Sequence, residues 1–156
     1  MTDPFESRLH TLERRLQQLT DQVEVTQLIA SYGPLVDAGA ADDVAALWSE
    51  DGSYEVEGWQ MRSRADVAAM VNSDAHQTLI GRGACHFLGP ARVTVDGNTA
   101  EAVCESLLVV HRDGKWIVAR AGANHFTLGR IDGRWQIMRR TTRALNGSPE
   151  ARNLLR

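Results

Sequence analysis

The sequence predicts one α+β domain in which N-terminal helices pack on a curved, mostly antiparallel sheet, and the two together form a cone-shaped α+β barrel. Apolar residues recur at helical spacing in the first quarter of the chain. The second half alternates apolar and polar residues, and turns such as Asp113-Gly114 and Asp132-Gly133 divide it into hairpin strands. Helices followed by a run of strands are typical of this fold class. The 156 residues suit a single domain over 1–156.

A long amphipathic helix is predicted from Phe5 to Asp37. Its apolar residues are three and four positions apart, at Leu9, Leu12, Leu16, Leu19 and Val23. Residues 1–20 are expected to form a helical extension ahead of the rest of the domain. A second helix could begin at Asp21, and Gly33-Pro34 is expected to kink the helix, because proline removes a backbone donor and clashes with the preceding turn.

The elements after this helix are shorter. A helix is predicted from Asp42 to Trp48, Asp51-Gly52 is expected to be a turn, and a helix capped by Ser63 should follow. The alternation predicts strands over Ser53–Trp59, Cys85–Val95, Thr99–Val110, Lys115–Leu128 and Arg134–Arg143. The tail 146–156 is expected to be either a lid or a flexible end.

Composition excludes several classes of protein. The formal net charge is −3, without the basic footprint that a nucleic-acid-binding protein carries. Two cysteines fit a reduced compartment, and the sequence has neither a secretory leader nor an apolar run long enough to span a membrane, so a cytoplasmic location is expected. No zinc-type spacing, phosphate-binding loop or nucleophile elbow occurs, so no metal and no cofactor are expected.

The strongest catalytic candidates are Asp37 and His86, which we expect to face each other in a dry pocket. Each residue lies among apolar neighbours. A carboxylate on one imidazole nitrogen fixes the tautomer, raises the basicity of the ring and leaves the other nitrogen as a general base. The structural alternatives are an exposed helix-end aspartate and a histidine that only fills the core.

Four further residues are candidates for binding a substrate. Asn124 could contact a substrate oxygen or form a cross-strand hydrogen bond, and only one of Asn124 and His125 can face the pocket, since strand side chains alternate. Arg140 could stabilise a developing negative charge or form a surface ion pair. Tyr32 could be a pocket or a core residue, and His111 could reach the pocket or lie at a solvated strand end. The remaining histidines, His10 and His76, are interpreted as surface residues.

The arrangement of these residues resembles the SnoaL-like branch of the nuclear transport factor 2-like superfamily. The resemblance covers about residues 16–142 and is carried by Tyr32-(x)4-Asp37, Asp43-(x)4-Trp48-(x)2-Asp51-Gly52, Cys85-His86-Phe87-Leu88-Gly89 and Ile131-Asp132-Gly133-(x)-Trp135. It implies the cone-shaped fold. It also implies that His86, paired with Asp37, removes a proton.

The resemblance implies roles for the other candidates as well. Tyr32, Asn124 and Arg140 match substrate-contacting positions of family members, and His111 falls near a second histidine of one of them. Val36 and Val56 occupy positions where a dehydratase of the family uses tyrosines to hold water, so the pocket is not a copy of that enzyme's.

These observations predict a cofactor-independent lyase, of the dehydratase or dehydrohalogenase type, that acts on a small apolar cyclic substrate. The alternatives are an isomerase of a ketosteroid-like or polyketide substrate and a non-catalytic module that binds a small ligand. The apolar alternation in 107–110 and 116–118 leaves two sheet faces to cover while the helices can cover only one, so a homo-oligomer, dimer or trimer, is expected.

Overall fold

The computed structural model describes residues 4–156 and confirms the α+β class. The helices and strands are α1 (Pro4–Asp37), α2 (Ala41–Ala46), β1 (Trp48–Val56), β2 (Trp59–Met61), α3 (Arg64–Asn72), α4 (Asp74–Gly81), β3 (Ala84–Leu88), β4 (Arg92–Asp96), β5 (Thr99–Arg112), β6 (Lys115–Ile131), β7 (Arg134–Ala144) and α5 (Pro149–Leu154). No helix among these residues is long and apolar enough to cross a membrane.

One seven-stranded sheet carries the fold. Its strand order is β2-β1-β7-β6-β5-β3, and β4 pairs with β5 next to β3. All pairings are antiparallel except that of β1 with β7. The sheet curves without closing, and α1 packs across β3, β4 and β7 on one of its faces. The space between this helix and the curved sheet is where a pocket can form.

The predicted hairpins at the Asp-Gly turns are confirmed. Asp113-Gly114 joins β5 to β6 with φ angles of 51° and 74°, and Asp132-Gly133 joins β6 to β7 with φ angles of 50° and 78°. Positive φ at both central residues defines the type I′ turn, whose twist matches that of the flanking strands. These two turns therefore set the register of the three longest strands.

The helix α1 has the predicted extent, and it continues as one helix through Asp21 and through Gly33-Pro34 to Asp37. Asp21 lies inside this helix and does not start a second one, and its buried carboxylate forms an ion pair with Arg130 of β6. Gly33 has a packing role: a Cβ atom there would lie 2.2 Å from the backbone oxygen of His86. Glycine thus lets α1 approach β3 closely, one turn before Asp37.

Two strand predictions need correction. The segment 85–95 is two strands, β3 and β4, because Pro90 has no N–H to donate to the ladder with β5. Asp51-Gly52 is not a turn but lies within β1, at an irregularity in its pairing with β7. Gly52 is needed there for a close approach, since a Cβ atom would lie 2.5 Å from the backbone oxygen of Ile137.

Two helices were not predicted. Ser73 caps α4, with its hydroxyl accepting from the His76 N–H, and Ser148 caps α5 in the same way. The tail expected to be a lid or a flexible end is thus partly helical. It packs against β6 and β7 through buried Ala151, and Glu150 forms an ion pair with Arg143 at 2.6 Å.

The close approach at Gly33 makes a direct prediction. In a helix, Gly→Ala normally stabilises by about 0.5–1 kcal/mol. Gly33→Ala should instead destabilise the fold by about 1–3 kcal/mol, because the methyl group forces α1 away from β3. Urea unfolding measures the change, and Gly81→Ala is the matched control, since its Cβ meets nothing within 4 Å. Equal effects of the two substitutions would contradict the packing role of Gly33.

Candidate active site

The register of the sheet assembles a row of side chains on its concave face. His86 pairs with Leu108 and Leu108 pairs with Arg120, so these three lie side by side on adjacent strands. Together with helix residues they line a cavity of about 280 Å³. Its lining residues are Tyr32, Tyr54, Val56, Trp59, Met61, Met70, Ser73, Ala75, His76, Leu79, His86, Leu88, Ser106, Leu107, Leu108, Arg120, Arg140 and Thr142.

Asp37 and His86 meet at the edge of this cavity. Asp37 is the last residue of α1, and one oxygen of its carboxylate accepts a hydrogen bond from His86 Nδ1 at 2.6 Å. Its second oxygen accepts from the backbone N–H of His86 at 2.8 Å. Because a carboxylate only accepts, Nδ1 carries the proton, and in the neutral ring Nε2 is the basic nitrogen. His86 is a cavity-lining residue, so this pair supplies a base oriented by a carboxylate.

Burial lowers the pKa of the His86 imidazole below its usual value of 6.5, and the nearby His76 and Arg140 lower it further, although Asp37 acts in the opposite direction. Desolvation disfavours the charged ring more than the carboxylate favours it. The neutral form of His86, which is the form able to accept a proton, is therefore favoured near pH 7.

A second histidine, predicted from the sequence to be a surface residue, lies in the cavity. His76 of α4 is 7% exposed, and its ring centroid is 5.7 Å from that of His86. Its Nε2 lies 2.9 Å from the backbone oxygen of Val36, so Nε2 donates and Nδ1 is the basic nitrogen of the neutral ring. The residues next to His76 in the sequence are mostly polar, so the sequence did not indicate that it is buried; its burial depends on the packing of α4 against the end of α1. Ser73, a helix-capping residue, was the available sequence signal for α4.

Arg140 enters the cavity from β7 as a buried cation. Its side chain is 2% exposed, and its guanidinium carbon lies 4.2 Å from the ring centre of Tyr32, 4.5 Å from that of Tyr54 and 5.2 Å from that of Phe126. No carboxylate among the described residues forms an ion pair with it. The aromatic faces therefore take the place of a counter-ion, each through a cation–π contact.

Asn124 holds Arg140 rather than lining the cavity. Its side-chain oxygen accepts from Arg140 Nη2 at 2.9 Å and from Thr142 Oγ1 at 2.7 Å, and its amide donates to Ser106 Oγ at 2.9 Å. The residue is fully buried on β6 between β5 and β7. The cross-strand alternative considered for Asn124 is thus the one that the structure favours, and direct contact with a substrate is not.

The Tyr32 hydroxyl lies beside Tyr54 and Arg140. Burial raises the pKa of this hydroxyl well above its usual value, Tyr54 adds to the rise, and Arg140 opposes it. Tyr32 therefore keeps its proton and can donate a hydrogen bond into the cavity that it lines. Tyr54 also lines the cavity and was not among the expected site residues. It lies two residues before Val56 in β1 and so on the same face of the strand, which could have indicated its position.

The remaining expected site residues divide. Val56 lines the cavity. His111 does not, because it lies at the far end of β5, exposed and with its ring 5.1 Å from that of Trp116. His125 points toward Glu101, 3.8 Å away. Among residues 4–156 no group of three or more histidine, cysteine, aspartate or glutamate side chains is placed to hold a metal ion.

Comparison with known proteins identifies the family of this chain. The model of the SnoaL-like domain matches residues 17–141. This chain belongs to the SnoaL-like domain family. The family and fold expected from the sequence are thereby confirmed. A search of curated proteins finds no match.

Several solved structures are similar to this SnoaL-like chain. An NTF2-like protein with a cystatin-like fold from Novosphingobium aromaticivorans is 42% identical, with a TM-score of 0.93 over 95% of this chain and 97% of that one. A candidate scytalone dehydratase from the same organism is 18% identical, with a TM-score of 0.69 over 81% and 85% of the two chains. A Catenulispora acidiphila protein in complex with S-DNPA is 20% identical, with a TM-score of 0.70 over 83% and 97%. The last two likenesses show the fold alone.

The Asp37–His86 pair makes a prediction that needs no substrate. An NMR titration should give His86 a pKa below 6.5, and Asp37→Asn should lower this pKa further, because the carboxylate that favours the charged ring is removed. The ring nitrogen shifts should show the proton of the neutral ring on Nδ1.

Asp43→Asn is the matched control, since it removes an exposed carboxylate of α2 and should leave the His86 titration unchanged. A His86 pKa that is unaffected by Asp37→Asn would show that the pair does not exist in solution.

Proposed function

We propose that this protein is a cofactor-independent lyase, of the dehydratase or dehydrohalogenase type, that acts on a small apolar cyclic substrate. The observation that carries the proposal is the hydrogen bond of 2.6 Å between Asp37 and His86 Nδ1, which leaves Nε2 as the basic nitrogen in a mostly apolar cavity. Membership of the SnoaL-like family supports it, as does the fold shared with a candidate scytalone dehydratase.

The first step is removal of a proton from carbon. His86 Nε2 accepts the proton, and the electron pair of the C–H bond is taken up by a neighbouring carbonyl group of the substrate as an enolate. It becomes the new carbon–carbon double bond when the leaving group departs with the electrons of its own bond; in a substrate without that carbonyl, both bonds break in one step. The Asp37 carboxylate, hydrogen-bonded to Nδ1, stabilises the imidazolium that results. General-base catalysis of this kind is typically worth about 10²–10⁴-fold in rate.

Tyr32 and Arg140 can stabilise the negative charge that develops on the substrate during this step. A substrate carbonyl next to the reacting carbon would acquire enolate character, and the Tyr32 hydroxyl can donate a hydrogen bond to its oxygen. Arg140, stacked on the Tyr32 ring at 4.2 Å, places a fixed positive charge behind that hydroxyl. A buried donor held in place before the reaction is more effective than one that must be reoriented.

The second step is departure of the leaving group. A halide leaves as the anion and needs no proton, whereas a hydroxide leaves as water and needs one. The imidazolium of His86 can return its proton to the departing oxygen. His76, which lines the same cavity 5.7 Å from the His86 ring, is a second candidate for this proton transfer.

Substitution of the base should strongly reduce turnover without unfolding the protein. In an assay against hydroxylated steroids, phenolics and chlorinated rings, His86→Gln should reduce kcat for the substrate found by about 10²–10⁴-fold. The value of kcat/KM for the unsubstituted protein should rise with pH through the pKa of His86, which lies below 6.5, and then level off, because the neutral imidazole is the active form.

His111→Gln is the matched control, because His111 is an exposed histidine of the same sheet outside the cavity. Survival of turnover in His86→Gln would overturn the mechanism. A product of unchanged mass would identify an isomerase instead of a lyase, and ligand binding without any pH-dependent turnover would identify a binding module.

Self-association and location complete the proposal. Trp116, Ile117 and Val118 are between 38% and 63% exposed, so apolar sheet surface remains for a second copy to cover in a dimer or trimer. A strictly monomeric sedimentation profile at micromolar concentration would contradict this. Both cysteines are free, in keeping with the cytoplasmic location that we propose.

A further inference from the structure

The N-terminal part of α1, up to Val23, carries an exposed apolar row, which we call the leucine stripe. It consists of Leu9, Leu12, Leu16, Leu19 and Val23, each between 45% and 66% exposed. The spacing alternates between three and four residues within one continuous helix. An average of 3.5 residues per repeat is the pattern of the a and d positions of a coiled coil, in which the stripe of one helix packs on that of another.

The domain to which α1 belongs cannot cover the leucine stripe. The helix buries Asp21, Val25, Ile29, Tyr32, Gly33 and Val36 against its own domain. At about 100° per residue, the centre of this buried row and the centre of the leucine stripe lie about half a turn apart. The stripe is therefore on the opposite side of the helix and faces away from the domain. A contact that covers it must come from another molecule.

We propose that a second copy of this chain packs along the leucine stripe, in parallel and in register, as a two-stranded coiled coil. With Leu9 and Leu16 at a positions and Leu12 at a d position, Arg8 occupies a g position and Glu13 an e position. In a parallel pair each g residue faces the e residue of the partner's following heptad. Arg8 thus faces the partner's Glu13, and symmetry repeats this attraction on the other side.

The charges disfavour an antiparallel pair. In that arrangement g positions face g positions and e positions face e positions, which brings Arg15 toward the partner's Arg15 and Glu13 toward the partner's Glu13. Both contacts join like charges. The same sequence also disfavours a lipid surface, because residues 4–23 hold three basic and three acidic side chains and lack the basic excess of helices that bind anionic membranes.

The stripe is short, and its position in the chain compensates for this. Isolated helices below about 12–15 residues are marginal, because the first turn is costly to form. Here α1 continues without interruption into the segment that packs on the sheet. The domain therefore supplies the nucleated helix, and pairing along the stripe only has to extend it. The contact is independent of the chemistry in the cavity.

Two glutamates placed in the stripe test the contact. In a Trp116→Glu/Val118→Glu background, which removes the sheet contact proposed above, sedimentation equilibrium of the full chain should still show self-association at micromolar concentration. Leu12→Glu/Leu16→Glu in that background should raise the dissociation constant by about 100-fold or more, since both leucines are buried in the pair. Ser7→Glu/Gln18→Glu is the matched control. It adds the same charge at exposed positions on the other side of the helix and should leave association unchanged.

The orientation has its own test. Arg8→Glu should weaken association, and Arg8→Glu/Glu13→Arg should restore it, because the exchange recreates the pair between the two copies. Leu16→Cys in a Cys85→Ser background should form a disulfide between copies under mild oxidation, since equivalent a positions are adjacent only in a parallel pair.

Three results would overturn the proposal. Unchanged association of Leu12→Glu/Leu16→Glu would show that the stripe is not an interface. Weakened association with neither the charge rescue nor the Leu16→Cys disulfide would show that the second copy sits in another arrangement. A monomeric protein that binds vesicles of anionic phospholipid through the stripe would show that the occupant is a membrane.

Discussion

The contact on which the cavity depends is the double hydrogen bond between Asp37 and His86. One carboxylate oxygen accepts from the imidazole and the other from the backbone N–H of the same residue. The first bond sets the tautomer of the ring, and the second fixes the carboxylate relative to β3. Both require that the end of α1 lie against this strand, and Gly33 permits that approach. A packing feature of the backbone thus determines which nitrogen of His86 is basic.

The buried Arg140 complements this pair electrostatically. A guanidinium without a carboxylate partner is costly in the interior. The cost is reduced by three aromatic rings and by the Asn124 oxygen, which accepts from Arg140 at 2.9 Å and is itself held by Thr142. The uncompensated charge then acts on the cavity in two ways. It adds to the effect of burial in keeping His86 unprotonated, and it attracts the negative charge that proton removal leaves on a substrate.

The sequence patterns predicted those features that depend on neighbouring residues alone, such as the two Asp-Gly turns. The type I′ turns at Asp113-Gly114 and Asp132-Gly133 need residues that tolerate positive φ, so the sequence identifies them directly. The role of Asn124 and the burial of His76 depend instead on contacts between elements distant in sequence. Asn124 is satisfied by residues of β5 and β7, and His76 by the Val36 carbonyl of α1. Without knowledge of these neighbours, both residues had reasonable alternative interpretations. The family resemblance correctly predicted that Asp37, His86 and Arg140 lie close together. It also predicted that His111 lies near the pocket, but in the structure His111 lies outside it.

The two parts of α1 have different packing: one packs on the sheet of its own domain, and the other is exposed. From Asp21 onward the helix is fixed by its own sheet, and every turn contributes a residue to the core or to the cavity. Before Asp21 it buries almost nothing of its own domain, yet it keeps a strict apolar repeat. A solvated helix gains little from such a repeat, because neighbouring apolar side chains contribute only about 0.2–0.5 kcal/mol per pair, and an exposed apolar row lowers solubility. The repeat is explained if the N-terminal part serves association. Since the leucine stripe ends at Val23, two turns or more before the residues of the cavity, association along it can vary without moving Asp37 or His86.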